Sequence, residues 1–365
     1  MPAPSLVVRD PWWNEETRFA WLALLPALLF FAVFVGFPIG YSFYLSFHDW
    51  NMMAATPDWV GLDNYAALAR DEQFLRSLVQ TALFTAGITA CIVVFSLGMA
   101  LLLDQKLRWI KLYRTIFYLP AVTSLVAIGI VWVWMFDPQY GLINQLLKVI
   151  GIAGPLWLAD PGTALVALII TAAWRNVGYF ATIFLAGLQG IDNMYYEAAR
   201  IDGAGRWASF WRITLPLLKP TVLFVVVMSV ILSFQVFALV YVMTAGGPAG
   251  STSVLVFYLY QQAFTYFRMG YASAVGYILF VIIFILTVLQ FKLFGKPVHG
   301  LTARSRGVEH EAFKLFFNAR ADLRDARRRH AKHGEPHPWL VRLLPLHRIQ
   351  RHASRRMGRI GNHFP

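Results

Sequence analysis

Charge is scarce in this chain. Of its 365 residues only 14% are Asp, Glu, Lys or Arg, against 58% apolar and 16% aromatic. A soluble domain does not carry that balance, and a single anchor would not spread it so evenly, so the sequence is that of a polytopic membrane protein. Cysteine is nearly missing too. The one thiol, Cys91, excludes a disulfide within the chain and a multi-cysteine metal site. No Gly-x-x-x-x-Gly-Lys-Ser/Thr occurs, so the chain cannot cradle ATP in the P-loop manner. Gly-x-Ser-x-Gly, His-Glu-x-x-His and a pair of carboxylates within the apolar runs are absent as well, which argues against a membrane hydrolase.

What is there instead is apolar length. Crossing the hydrocarbon core takes a helix of about 20 residues. Six segments reach it: Phe19 to Phe47, Ser77 to Leu103, Thr115 to Phe136, Thr163 to Leu188, Thr221 to Met243 and Ala272 to Phe291. Five hold no charged residue and the fourth holds only Arg175. The first is too long for the apolar core of a signal peptide and is read as a retained helix. The expected fold is therefore all-α, with six transmembrane helices over residues 19–294, a short segment 1–18 before them and a basic tail 295–365 behind. In the second span Ala82, Ala86 and Ala90 recur every four residues, a stripe suited to close helix contact. Trp132, Trp134 and Trp157 are expected near the headgroups, and Ser251 to Phe267 as a helix on the outer surface.

Short loops rich in Lys and Arg stay cytoplasmic. One such loop holds Lys106, Arg108, Lys111 and Arg114, and another, residues 190–220, holds Arg200, Arg206, Arg212 and Lys219. The alternate loops hold few, so both termini and the 190–220 loop are expected in the cytoplasm. The formal charge of +13 is concentrated in the tail, where sixteen Lys or Arg from Lys296 onward face five acids. Beside a membrane such residues meet anionic lipid rather than nucleic acid. Ala312 to Arg329 reads either as a basic surface helix or as a disordered extension, and the eight tail histidines are too irregular for a metal site.

The 190–220 loop has a legible local structure. Asp192 and Asn193 are good helix caps, Ala198 and Ala199 keep the following helix narrow, and Gly203 tolerates a positive φ at its end. A second short helix should present Trp207, Phe210 and Trp211 on one face. The order Glu197-Ala-Ala-Arg-Ile-Asp-Gly203, then Ile213-Thr-Leu-Pro216, resembles the EAA loop of the membrane subunits of binding-protein-dependent ABC importers. The resemblance implies a type I importer permease fold in a bacterial inner membrane. It also implies a second related permease, two ATPase subunits that bind the ATP and Mg, and a periplasmic or lipid-anchored solute-binding protein. In this chain Glu197 and Asp202 would supply charged contacts to the ATPase, Ala198 and Ala199 close packing, Gly203 the turn, and Ile213, Leu215 and Pro216 the rest of the motif.

The likeness runs from about Arg18 to Lys296. Gly61-Leu-Asp-Asn64, Phe136-Asp-Pro-Gln-Tyr-Gly-Leu-Ile-Asn144, Met243-Thr-Ala-Gly-Gly-Pro248, Tyr258-Leu-Tyr-Gln-Gln-Ala-Phe264 and Met269-Gly-Tyr-Ala-Ser-Ala274 are similar to segments of carbohydrate importer permeases related to the maltose and glycerol-3-phosphate systems. A charge inside a bilayer is costly, so Arg175 needs a reason. It is read as lining a watery solute path with Asn176 and Tyr179, the alternative being a structural role in which it snorkels or binds helix carbonyls. Gln235 and Tyr241 are further path candidates, while Ala238 stands where relatives often carry an acid. The competing class, an ion-coupled secondary transporter or channel, lacks the intramembrane acids expected of it and leaves the loop unexplained.

Overall fold

The computed structural model describes residues 15–105 and 108–294. The basic tail with its candidate helix and histidines, Lys106 and nearly all of segment 1–18 lie outside the described residues. Helix α1 (Glu15–Phe31) runs through a π-helical turn into α2 (Phe37–Leu45). A two-stranded antiparallel ribbon, β1 (His48–Asp49) and β2 (Asp58–Trp59), and the short α3 (Asp63–Leu68) then lead into α4 (Glu72–Leu103). After these come α5 (Ile110–Val122), α6 (Leu125–Met135), α7 (Leu142–Val149) and α8 (Pro161–Gln189). The 190–220 loop carries α9 (Asn193–Ile201), α10 (Arg206–Ser209) and α11 (Leu215–Leu217). The chain then forms α12 (Lys219–Phe234), α13 (Ala238–Met243), α14 (Leu255–Tyr260) and α15 (Met269–Phe294).

Four stretches are long and apolar enough to cross a membrane, namely Arg18–Leu45, Glu72–Leu103, Pro161–Gln189 and Met269–Leu293. Two bent pairs bring the number to six. The third span is therefore not the straight helix expected over Thr115 to Phe136, because α5 and α6 meet at 96°. Pro120 has no N–H to offer the preceding turn, Thr123 donates its hydroxyl to the Leu119 carbonyl at 3.1 Å, and its backbone turns extended at ψ 146°. The fifth span also departs from expectation. It is interrupted at Gln235–Phe237, where Phe237 adopts φ −137° and ψ −62°. One turn earlier the Ser233 hydroxyl bonds back to the Ser229 carbonyl at 2.6 Å, a pairing that bends helices. At its other end α12 meets the Arg206–Leu217 stretch at 64°.

The core centres on α4 and α8. Phe84, Ile88 and Ile92 of α4 pack with Leu168, Phe180 and Phe184 of α8, Trp132 of α6, Val225 of α12 and Leu239 of α13. A second cluster joins Phe74 of α4 and Phe234 of α12 to Leu255 and Tyr258 of α14 and Tyr271 and Val275 of α15. Where α4 lies closest to its neighbours it uses small polar residues. Ser96 donates to the Val177 carbonyl at 3.0 Å, Thr89 and Ser229 hydroxyls meet at 3.0 Å, and Thr81 accepts from the Leu255 N–H at 2.8 Å. The alanine stripe does not do this work: Ala82, Ala86 and Ala90 are all exposed, because the buried face of α4 is the one bearing Thr81, Phe84, Thr85, Ile88 and Ile92. Trp132 is likewise a core residue rather than a headgroup anchor, whereas Trp134 is exposed. Within Ser251 to Phe267 the chain is helical over residues 255–265 and packs one side inward, with Leu255, Phe257, Tyr258, Gln262 and Ala263 buried. The first span is the opposite case. Its apolar window is 0% buried against the chain, and it meets α15 through Tyr277, whose hydroxyl donates to the Ile39 carbonyl.

Candidate coupling loop and solute path

The 190–220 loop begins where α8 ends. Asp192 is extended at φ −65° and ψ 133°, and its carboxylate accepts the Met194 N–H at 2.9 Å, so it caps α9 as its residue type predicts. At the other end Gly203 takes φ +76°, and the Ala204 N–H closes onto the Ala199 carbonyl at 2.8 Å. A Cβ on Gly203 would have nothing within 4 Å in this chain. Glu197, Ala198 and Asp202 are exposed along with it.

The remaining motif residues sit differently. Ala199 is buried, the Tyr196 hydroxyl meets Thr214 Oγ1 at 3.0 Å, and Ile213, Leu215 and Pro216 are partly buried, Leu215 against the main core. A π-helical turn, Phe210–Thr214, joins α10 to α11 and brings the rings of Trp207, Phe210 and Trp211 into mutual contact. The motif thus divides into a presented face, Glu197, Ala198, Asp202 and Gly203, and an anchoring face, Ala199 with Ile213 to Pro216. Sequence reasoning missed Ile201. This large apolar side chain is 87% exposed at the tip of the presented face.

The five path candidates fall into two groups. On α8, Arg175 donates through Nη2 to the Ala121 carbonyl at 3.2 Å and through Nη1 to Asn176 Oδ1 at 3.3 Å. Asn176 in turn donates to the Ala172 carbonyl at 2.8 Å, and the Tyr179 ring lies 6.4 Å from that of Tyr118 on α5. The second group surrounds the break in the fifth span. Gln235 is exposed at the end of α12, and Tyr241 on α13 joins an aromatic collar with Phe237 at 5.4 Å and Tyr260 at 5.6 Å. Among the described residues no hydrogen bond or ring contact joins the two groups.

A third polar cluster escaped the sequence reading. Asp71 caps α4, accepting the Gln73 N–H at 2.8 Å, and its Oδ2 also accepts the hydroxyls of Tyr258 at 2.5 Å and Tyr271 at 2.6 Å. Burial pushes the Asp71 carboxyl up, but the two tyrosine hydroxyls and the N–H groups of Phe74 and Gln73 outweigh it and hold the group below its ordinary value. Asp71 before Glu72 was readable as a helix cap. Its partners, nearly two hundred residues away, were not.

Residues 92–296 match the family described as binding-protein-dependent transport system inner membrane component. The sn-glycerol-3-phosphate transport system permease protein UgpA of Agrobacterium fabrum is 34% identical over 76% of this chain and 95% of its own length. The lactose transport system permease protein LacF of Rhizobium radiobacter is 38% identical over 74% of this chain and 92% of its own. In fold the chain is similar to a crystal structure of a bacterial ABC transporter involved in the import of the acidic polysaccharide alginate, with a TM-score of 0.68 at 24% identity over 78% of this chain and 97% of that one. The matched residues contain α8, both faces of the 190–220 loop and the broken fifth span, and the chain belongs to the permease family of binding-protein-dependent ABC importers.

Proposed function

We propose that this permease carries a carbohydrate, or a related polyol or sugar phosphate, and that a separate ATPase drives it through the 190–220 loop. One observation supports the coupling above all: Ile201 is 87% exposed, beside Glu197, Ala198, Asp202 and Gly203, on a loop whose opposite face is pinned to the core. Large apolar side chains left exposed on one loop, here Ile201 with Met194 and Trp207, have the composition of a protein contact. The relatives active on lactose and glycerol phosphate support the solute class. The working complex then has a second permease, two ATPase subunits holding ATP and Mg, and a periplasmic or lipid-anchored binding protein delivering the solute. Both termini lie in the cytoplasm with the loop. ATP binding draws the loops of the two permeases together and swings the helices between inward- and outward-facing states as rigid bodies. Asn176, Tyr179, Gln235 and Tyr241, with Arg175 beside them, border the path.

Reconstitution tests this reading. In liposomes holding the complete complex, uptake of labelled sugar should require Mg-ATP and the binding protein. The chain alone should move none under a proton or sodium gradient. Gradient-driven uptake by the chain alone would instead establish an ion-coupled transporter and sink the proposal.

A further inference from the structure

Helix α5 buries none of its residues, yet an arginine bonded to a helix C-terminus holds it at each end. Near its start Arg114 donates through Nη2 to the carbonyl of Leu103, the last residue of α4, at 3.0 Å. In its last turn the Ala121 carbonyl accepts Nη2 of Arg175 at 3.2 Å. Last-turn carbonyls have no partner within their own helix and carry the negative end of its dipole, and a guanidinium answers both needs. The Nε atoms of both arginines are buried, and both carbonyl contacts are partly buried. Between the two ends α5 rests on α8 at Gly178, where a Cβ would overlap the Phe117 carbonyl. Asn176 fixes the aim of Arg175 by accepting from Nη1 while donating to the Ala172 carbonyl. Directly beyond Ala121 lies the 96° bend between α5 and α6.

We propose that Arg175 and Arg114 are positioning residues of the transport cycle, two pins that fix α5 against α8 and α4 so that the bend at Thr123–Ser124 works as a hinge. Helix α8 runs straight into the 190–220 loop, so a displacement of that loop reaches the hinge through Arg175 and turns α6. In this role Arg175 acts on backbone carbonyls and not on the solute. The inference rests on the importer reading, because a hinge needs two transport states to move between.

The test uses the full chain with its co-expressed partner subunits in lipid nanodiscs, in a Cys91→Ser background. Spin labels are placed at Tyr113→Cys on α5 and Trp134→Cys on α6, where the native side chains are 44% and 72% exposed. Pulsed EPR then reads the distance across the hinge with and without Mg-ATP. With both arginines present we expect one narrow distance in each state. Arg175→Met should broaden the distribution, with on the order of a tenfold shift in the population of the pinned state, the usual weight of a hydrogen bond to a charged donor. Arg175→Lys, which keeps a cation for the carbonyl, should restore most of the narrow component, whereas a merely space-filling role is rescued equally by methionine. Arg114→Met should broaden the distribution in the same direction and serves where Arg175→Met fails to accumulate. Distributions unchanged in the methionine variants overturn the proposal. A wild-type distance indifferent to Mg-ATP, with broadening still seen in the variants, leaves the pins standing but overturns the hinge, while the importer reading stands or falls on the liposome uptake assay.

Discussion

Gly203 separates two ways in which the coupling loop can depend on a glycine. Its φ of +76° is left-handed, and an L-residue with a Cβ pays about 1–2 kcal/mol to adopt that conformation. Relief by relaxing φ would break the Ala204-to-Ala199 bond that ends α9 and so move Asp202 and Ile201. Space within the chain is not limiting, because a Cβ would meet nothing within 4 Å. Gly203→Ala should therefore insert normally in the membrane but lower the docking-competent population of the loop roughly 5–30-fold, the ratio that corresponds to that strain. Gly203→Asn tests the alternative, since Asn accepts the left-handed region far better. Any loss common to Asn and Ala must come from a partner packed onto the glycine face. The assay is retention of the ATPase through purification, followed by substrate-stimulated ATP hydrolysis, across Gly203→Asn, Gly203→Ala and Gly203→Asp. Gly203→Asp adds both bulk and charge to the presented face and should retain least. Wild-type retention and stimulation in Gly203→Ala would refute the strain argument, and the same result in Gly203→Asp would refute the assignment of this face to the ATPase.

Two further substitutions probe the contact between α5 and α8 and the polar cluster at the start of α4. Gly178→Ala places a methyl group on the Phe117 carbonyl and should destabilise the purified chain by about 1–3 kcal/mol, read as a lowered thermal midpoint in detergent; an unchanged midpoint means that α5 does not rest on α8 there. Asp71→Asn removes a charged acceptor whose folded carboxyl lies below its ordinary value of 3.8, so the contribution of that carboxylate is fully present above that pH and lost as pH falls through the depressed value. Solvent at this partly exposed site keeps the effect near 1 kcal/mol. Thermal midpoints of wild type and Asp71→Asn should differ at pH 7, and the gap should shrink as pH falls below about 4; a gap that does not narrow at all on acidification shows that the charge is not what the two tyrosines hold.

What could be read from the sequence was what single residues or fixed lengths dictate. Bilayer thickness set the number of apolar stretches, and Asp192 and Gly203 fell where a cap and a left-handed turn place them. What resisted reading depends on partners distant in the chain. The alanines of α4 look like a packing stripe, but which face of a helix is buried is decided by its neighbours, and α8, α12 and α14 engage the Thr81, Thr89 and Ser96 hydroxyls instead. Bends failed for a related reason. Pro120 announces a weakness in the third span, yet a 96° turn leaves carbonyls in need of donors, and the Arg175 that supplies one lies 54 residues away.

The two faces of the coupling loop bear on how force can pass through it. A loop that was only exposed would bend when a partner pulled on it, and a loop that was only buried would offer nothing to grip. Here the residues split the task by side. The Tyr196–Thr214 bond joins the two halves of the loop and the partly buried Leu215 ties it to the main core, while Glu197, Ile201 and Asp202 project from a helix closed at one end by Asp192 and at the other by Gly203. A force applied at Ile201 is therefore delivered to α8 and α12, the helices on either side of the loop. From α8 it meets Arg175 first, at a carbonyl one turn or less from the only 96° bend among the described helices. That ordering explains why the one charge in the fourth span stands where a helix ends rather than at an arbitrary depth. Placed a turn later on α8, beside Gly178 and the Phe117 carbonyl, the same guanidinium would face carbonyls already bonded within α5 and would have no partner to offset its removal from water.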